Sequence, residues 1–217
     1  MYQFKKNFIM SKSQNPMTGH MSGSMANFAT YKRYGKNIIR SKAFEPKDAN
    51  TVSQKAQRAS FKLIVNAYES FGGITDTSFP KRAENQSPFN AFVAANLPEA
   101  IDKTGAAPVI VYRDLKVSAG TLPVVQTTAV IDTDGITLSY ESDLGNPRVS
   151  VTDQVIAFAQ LKSGKLLIVR KVRGNFPTGT LLLTSDGIKA SDVVCCYLFV
   201  QKADGSNASN STYVAVN

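Results

Sequence analysis

The sequence has one histidine, His20, and two cysteines, which are adjacent at Cys195-Cys196. A metal or redox centre needs further ligands beside the thiols, and a Ser–His–Asp or Cys–His site needs a histidine next to its nucleophile. His20 lies far from both cysteines, in a polar stretch that cannot order itself unaided. Neighbours on an extended strand point to opposite faces, and a bond between them would close a strained ring. The pair therefore reads as two free thiols, one buried and one on the other face. No apolar run approaches the roughly 20 residues that span a bilayer. Asn7-Phe8-Ile9-Met10, after Lys5-Lys6, is too short for the core of a secretory leader. Neither a Walker-type loop nor a Gly-x-Gly-x-x-Gly between strand and helix is present. These scarcities argue against an enzyme: no catalytic residue, cofactor, metal, small-molecule substrate or membrane partner is expected.

What the sequence does have is lopsided charge. Residues 1–62 carry twelve Lys or Arg against two acids, Glu45 and Asp48, whereas residues 63–217 carry thirteen against fourteen. The formal net charge of +9 therefore belongs to an N-terminal segment on a nearly neutral body. A basic arm of this kind implies a negative partner.

The expected fold is α+β and mainly β: a basic arm and hairpin, two helices, then a C-terminal antiparallel β-sandwich. Residues 1–30 read as a flexible arm, 31–106 as the hairpin plus a helical segment, and 107–217 as the sandwich. Two β-prone runs flank Tyr34-Gly35-Lys36-Asn37, a hairpin signal with glycine at the turn. Thr51 and Gln54 form a candidate capping box, and Gly72-Gly73 closes the same helix. Between them Ala56, Ala59, Leu63, Ile64, Ala67, Tyr68 and Phe71 make one apolar stripe. Ser87-Pro88 opens a second helix that ends near Pro98 and buries Phe89, Phe92, Val93 and Leu97. From Ala107 onward, strands are expected at 108–112, 124–131, 136–140, 155–161, 165–172, 180–183, 193–201 and 212–216, separated by turn residues. That spacing suggests a sandwich, with a closed barrel as the competing architecture.

The candidate contact residues are Tyr31, Lys32, Arg33, Tyr34, Lys36, Arg40 and Lys42. The cations suit phosphates, and the interleaved tyrosines suit stacking on single-stranded nucleic acid. The same residues suit docking on an acidic protein surface. A merely solvated hairpin edge, which blocks aggregation, is the bland alternative. Asp132-Thr133-Asp134-Gly135 resembles the start of a calcium loop, but Ile136 takes the next ligand position, so a hairpin turn is expected there. Glu141 and Asp143 read as loop solvation rather than as an acid–base pair. Asn85-Gln86-Ser87, Asn207-Ala208-Ser209 and Asn210-Ser211-Thr212 fit the glycosylation pattern, which carries meaning only in a secreted protein.

Several segments resemble an uncharacterised family of Bacteroidota and their phages, domain of unknown function 6266. They are Tyr31 to Lys42, Ser53-Gln-Lys-Ala-Gln-Arg-Ala-Ser-Phe61, Ser87 to Leu97, Val117-Ser-Ala-Gly-Thr-Leu-Pro123, and Tyr197 to Ser206 followed by Ser209-Asn-Ser-Thr-Tyr213. The resemblance runs over roughly residues 19–215. It departs at Glu45-Pro46-Lys47-Asp48, where a more basic link is usual, and residues 1–18 look like an extension. It implies a sandwich of immunoglobulin or fibronectin type III kind, and it brings no assigned activity and no catalytic residues to map. The expected function is non-enzymatic: a structural or assembly protein, such as a phage capsid, portal-vertex or neck accessory. Its partners would be other structural subunits, with DNA contact through residues 31–62 as an alternative. A surface adhesive module is the remaining alternative. The expected location is the virion, or the cytoplasm if the chain is not phage-encoded.

Overall fold

The structure, a computed structural model, describes residues 23–25, 27–33, 36–42 and 48–216. The chain divides after Asn50 into two compact units. In the first, β1 (Gly23–Met25), β2 (Phe28–Arg33) and β3 (Lys36–Ser41) form an antiparallel sheet in that order. The expected hairpin is β2–β3, with Arg33 opposite Lys36, so Lys36 and Asn37 belong to the strand rather than to the turn.

In the second unit helices come first. The capping box of α1 (Val52–Ser70) forms as its residues dictate. The Thr51 side chain accepts from the Gln54 amide at 3.3 Å, and the Gln54 side chain accepts from the Thr51 amide at 3.2 Å. Gly73, at φ 80°, then separates α1 from a short helix, α2 (Ile74–Thr77). Ser87 caps α3 (Pro88–Asn96) by accepting from the Asn90 amide.

The strands follow. A small pair, β4 (Ile101–Asp102) and β5 (Val109–Ile110), stands apart from the larger sheets. The run at 108–112 is thus strand over two residues only, because the amides of Asp114 and Leu115 bond back to Val111 and Tyr112 in a turn. β6 (Gln126–Asp132), β7 (Gly135–Glu141), β8 (Gln154–Leu161), β9 (Leu166–Val172), β10 (Thr178–Thr184), β11 (Val193–Gln201) and β12 (Thr212–Tyr213) build two antiparallel sheets, ordered β10-β7-β6 and β12-β11-β8-β9. The closing run is likewise shorter than expected. Strand pairing stops at Tyr213, and Val216 makes only a single bridge to Ala129.

The two sheets share a core of Ala129, Ile136, Leu138, Leu181 and Leu183 from one side and Val155, Ala157, Ala159, Cys196, Leu198 and Val200 from the other. The opposite face of the four-stranded sheet is covered by the helices. Ile156, Phe158, Cys195, Tyr197 and Phe199 pack there against Ile64, Phe71, Phe79 and Phe92. β8 and β11 are therefore buried on both faces, which explains why their sequences are apolar at consecutive positions instead of alternating. Each such aliphatic or aromatic side chain contributes about 1.5–3 kcal/mol by leaving water. The whole is α+β and mainly β. Its second unit has three layers: sheet, sheet and helices.

Candidate functional site

The basic hairpin is the first surface to build. Alternation along β2 and β3 places Phe28, Thr30 and Lys32 opposite Ser41, Ile39 and Asn37 on one face, and Ala29 and Tyr31 opposite Arg40 and Ile38 on the other. Thr30 is the one buried residue among those described in β1–β3, and its hydroxyl donates to the Gly23 carbonyl at 3.4 Å. Phe28 is 52% exposed, Tyr31 40% and Ile39 67%. Lys32, Arg40 and Lys42 are exposed beside them. A three-stranded sheet with its large apolar groups in water has little to hold it together by itself. Of the remaining expected contact residues, Arg33 and Lys36 pair at the turn end of the hairpin, and their side chains are not described. Tyr34 lies outside the described residues, as does His20.

The body brings together two distant segments that sequence reading leaves unconnected. The link Val117–Pro123 lies against the closing segment 207–213. The Ser118 hydroxyl donates to the Ser209 carbonyl at 2.7 Å and also approaches the Ser78 carbonyl at 3.0 Å. The Val117 amide donates to Ser211 Oγ, the Ser211 amide to the Ser118 carbonyl, and the Leu122 amide to the Ala208 carbonyl. Gly120 permits the approach, because a Cβ there would stand 2.0 Å from the Ala208 oxygen. Nearby, buried Asn96 meets both ends of its amide. Its Nδ2 donates to the Phe92 and Lys116 carbonyls, and its Oδ1 accepts from the Lys116 amide. These groups bond to one another within the fold.

The titratable groups of the interior are buried as well. Both cysteines are buried on opposite faces of β11, Cys195 towards the helices and Cys196 towards the other sheet. The expectation of opposite faces and free thiols holds, but neither thiol meets solvent because the helical layer covers the second face. Burial pushes both thiols up to about 12. Burial also raises Tyr197, whose hydroxyl donates to the Tyr112 carbonyl at 2.6 Å. Arg173 and Asp153 form a buried pair 3.8 Å apart, and the Arg173 amide donates to the Asp153 carbonyl, tying β9 to the start of β8. Burial lowers the Arg173 guanidinium, with Asp153 opposing. Among the described residues no group of three or more His, Cys, Asp or Glu is placed to hold a metal ion. Asp132-Thr133-Asp134-Gly135 is the β6–β7 turn, with Asp132 opposite Gly135. Asp143 accepts from the Gly145 amide within its loop, while Glu141 stands apart, on the outer face of β7.

A family model described as a family of unknown function, DUF6266, matches residues 19–215. The chain belongs to that family. No curated protein matches it. Both halves of the buried link seam fall within the matched range. No helix among the described residues is long and apolar enough to cross a membrane.

Proposed function

We propose that this protein is a non-enzymatic structural or assembly protein whose basic hairpin is its docking element. The observation that supports this most directly is the exposure of Phe28, Tyr31 and Ile39 on a small sheet beside exposed Lys32, Arg40 and Lys42. Apolar and cationic side chains interleaved on one small element suit a partner that is itself part apolar and part acidic, and burial against it would supply the stability the hairpin lacks. A phage particle, at its capsid, portal vertex or neck, is the assembly we favour. Deleting residues 1–49 tests this. The truncated chain should remain folded but be excluded from particles, and normal incorporation would refute the proposal.

A second reading rests on Tyr31, which projects from the same hairpin face as Arg40. An exposed aromatic beside cations suits a stacked base beside a phosphate. Binding to single-stranded DNA would then weaken with salt, with a log–log slope of about −0.7 per phosphate neutralised. Replacing Lys32, Arg40 and Lys42 by alanine should flatten that slope, and an unchanged slope rules out this patch.

A further inference from the structure

The sheet β10-β7-β6 keeps one face in water. Its inward positions fill the core, and its outward positions align across the strands in register. Thr178, Glu141 and Gln126 form one row, and Thr180, Ser139 and Thr128 form the next. All six are exposed. Among the described residues none of their side chains hydrogen-bonds to the rest of the chain. They line a recess of about 640 Å3, a volume within the range of small-molecule sites. Lys171, from β9, lines it too, donating to the Thr180 carbonyl at 3.2 Å.

The chemistry of this lining narrows the ligand. One carboxylate, Glu141, and one ammonium, Lys171, offset each other, so a polyanion or polycation gains no net attraction here. The two rows present four hydroxyls and an amide, so a wholly apolar ligand would strip water from them without pairing them. An added peptide strand needs a strand edge, and the outward carbonyl of Thr180 is already taken by Lys171. A neutral ligand dense in hydroxyl groups matches the array, since hydroxyl, amide and carboxylate groups can each both bind and orient it. Sugar rings also carry C–H faces. The next row along the same face, Leu182, Thr137 and Val130, places two exposed aliphatic side chains beside the recess, Leu182 at 43% and Val130 at 56%.

We propose that the outer face of the β6–β7–β10 sheet is a saccharide-binding site, with Gln126 and Glu141 as its central hydrogen-bonding pair. This goes beyond the docking role of the hairpin and does not depend on it. The test is titration of the isotope-labelled full-length chain with soluble neutral oligosaccharides of glucose, mannose and N-acetylglucosamine, followed by amide NMR shifts. Saturable shifts at residues 126–128, 139–141 and 178–180 with at least one probe are expected. Gln126→Ala and Glu141→Ala should each weaken that binding about tenfold or more, as loss of a hydrogen bond to ligand does. Thr128→Val, nearly isosteric and in the neighbouring row, is a second variant should either alanine variant fold poorly. Absence of saturable shifts with every probe would overturn the proposal. So would shifts that survive in the variants, shifts reproduced by glycerol at equal hydroxyl concentration, or shifts produced only by heparin or DNA.

Discussion

At the scale of single residues, the most exacting positions lie in the seam between 117–123 and 207–213. Gly120 faces backbone, not a flexible side-chain end, so an added Cβ cannot be relieved by a rotamer change. Gly120→Ala should cost about 1–3 kcal/mol through overpacking. Ser118→Ala should cost about as much, because it strands the buried Ser209 carbonyl. Urea denaturation of the two variants and their combination checks both. The double variant should lose less than the sum, since either change opens the same seam. The cysteines yield a prediction of sign. Their folded-state acidities are weakened to about 12, above the ordinary thiol value of about 8.5. The folded state therefore holds protons that the unfolded state releases, and that stability is intact below about pH 8.5 and lost as pH rises towards 12. Melting temperature should fall across that alkaline window, and Cys195→Ala with Cys196→Ala should flatten the fall. A thiol reagent at pH 8 should label neither cysteine until the chain unfolds.

At the scale of elements, helix boundaries are set by local chemistry and strand partnerships are not. Thr51→Ala and Ser87→Ala each remove one capping bond and should each lower stability by about 1 kcal/mol. Chemical denaturation reads this directly, and a loss below a few tenths would mean that tertiary packing, not the caps, fixes the helix starts. The capping box at Thr51 and Gln54, the proline at the first position of α3, and the hairpin turn at Asp132–Gly135 were all legible because each involves residues within a few positions of one another. The helical layer over the four-stranded sheet was less so. The consecutive apolar residues of β8 and β11 hold that information, since a strand with one wet face alternates. The seam was not legible at all. Ser118 and Ser209 are 91 positions apart, and neither has a hydrophobic period to betray its partner. The recess on the outer sheet face was hidden for a related reason. Thr128, Ser139 and Thr180 are ordinary outward strand residues until register lays them side by side.

At the scale of the whole molecule, charge and core part company at the same place. The excess of Lys and Arg is concentrated in residues 1–62, while both buried clusters lie entirely beyond residue 60. Every residue of those clusters belongs to the unit 51–217, including the Phe71, Phe92, Phe158 and Tyr197 rings that meet at 5.4–6.2 Å beneath the helices. A chain beginning at Asn50 keeps the Thr51 cap, both sheets and both cores, so it should fold alone. Its melting temperature should lie within a few degrees of the full-length value, because about 1 kcal/mol corresponds to roughly 2–4 °C in a domain of this size. Calorimetry of the two chains at equal concentration decides the matter. A large loss on truncation would mean that the basic segment contributes to the stability of the body, and the hairpin could no longer be regarded as a separable docking element. A near-identical melt would leave the exposed apolar and cationic groups of residues 28–42 without a stabilising role in the body, as a surface selected for contact with a partner should be.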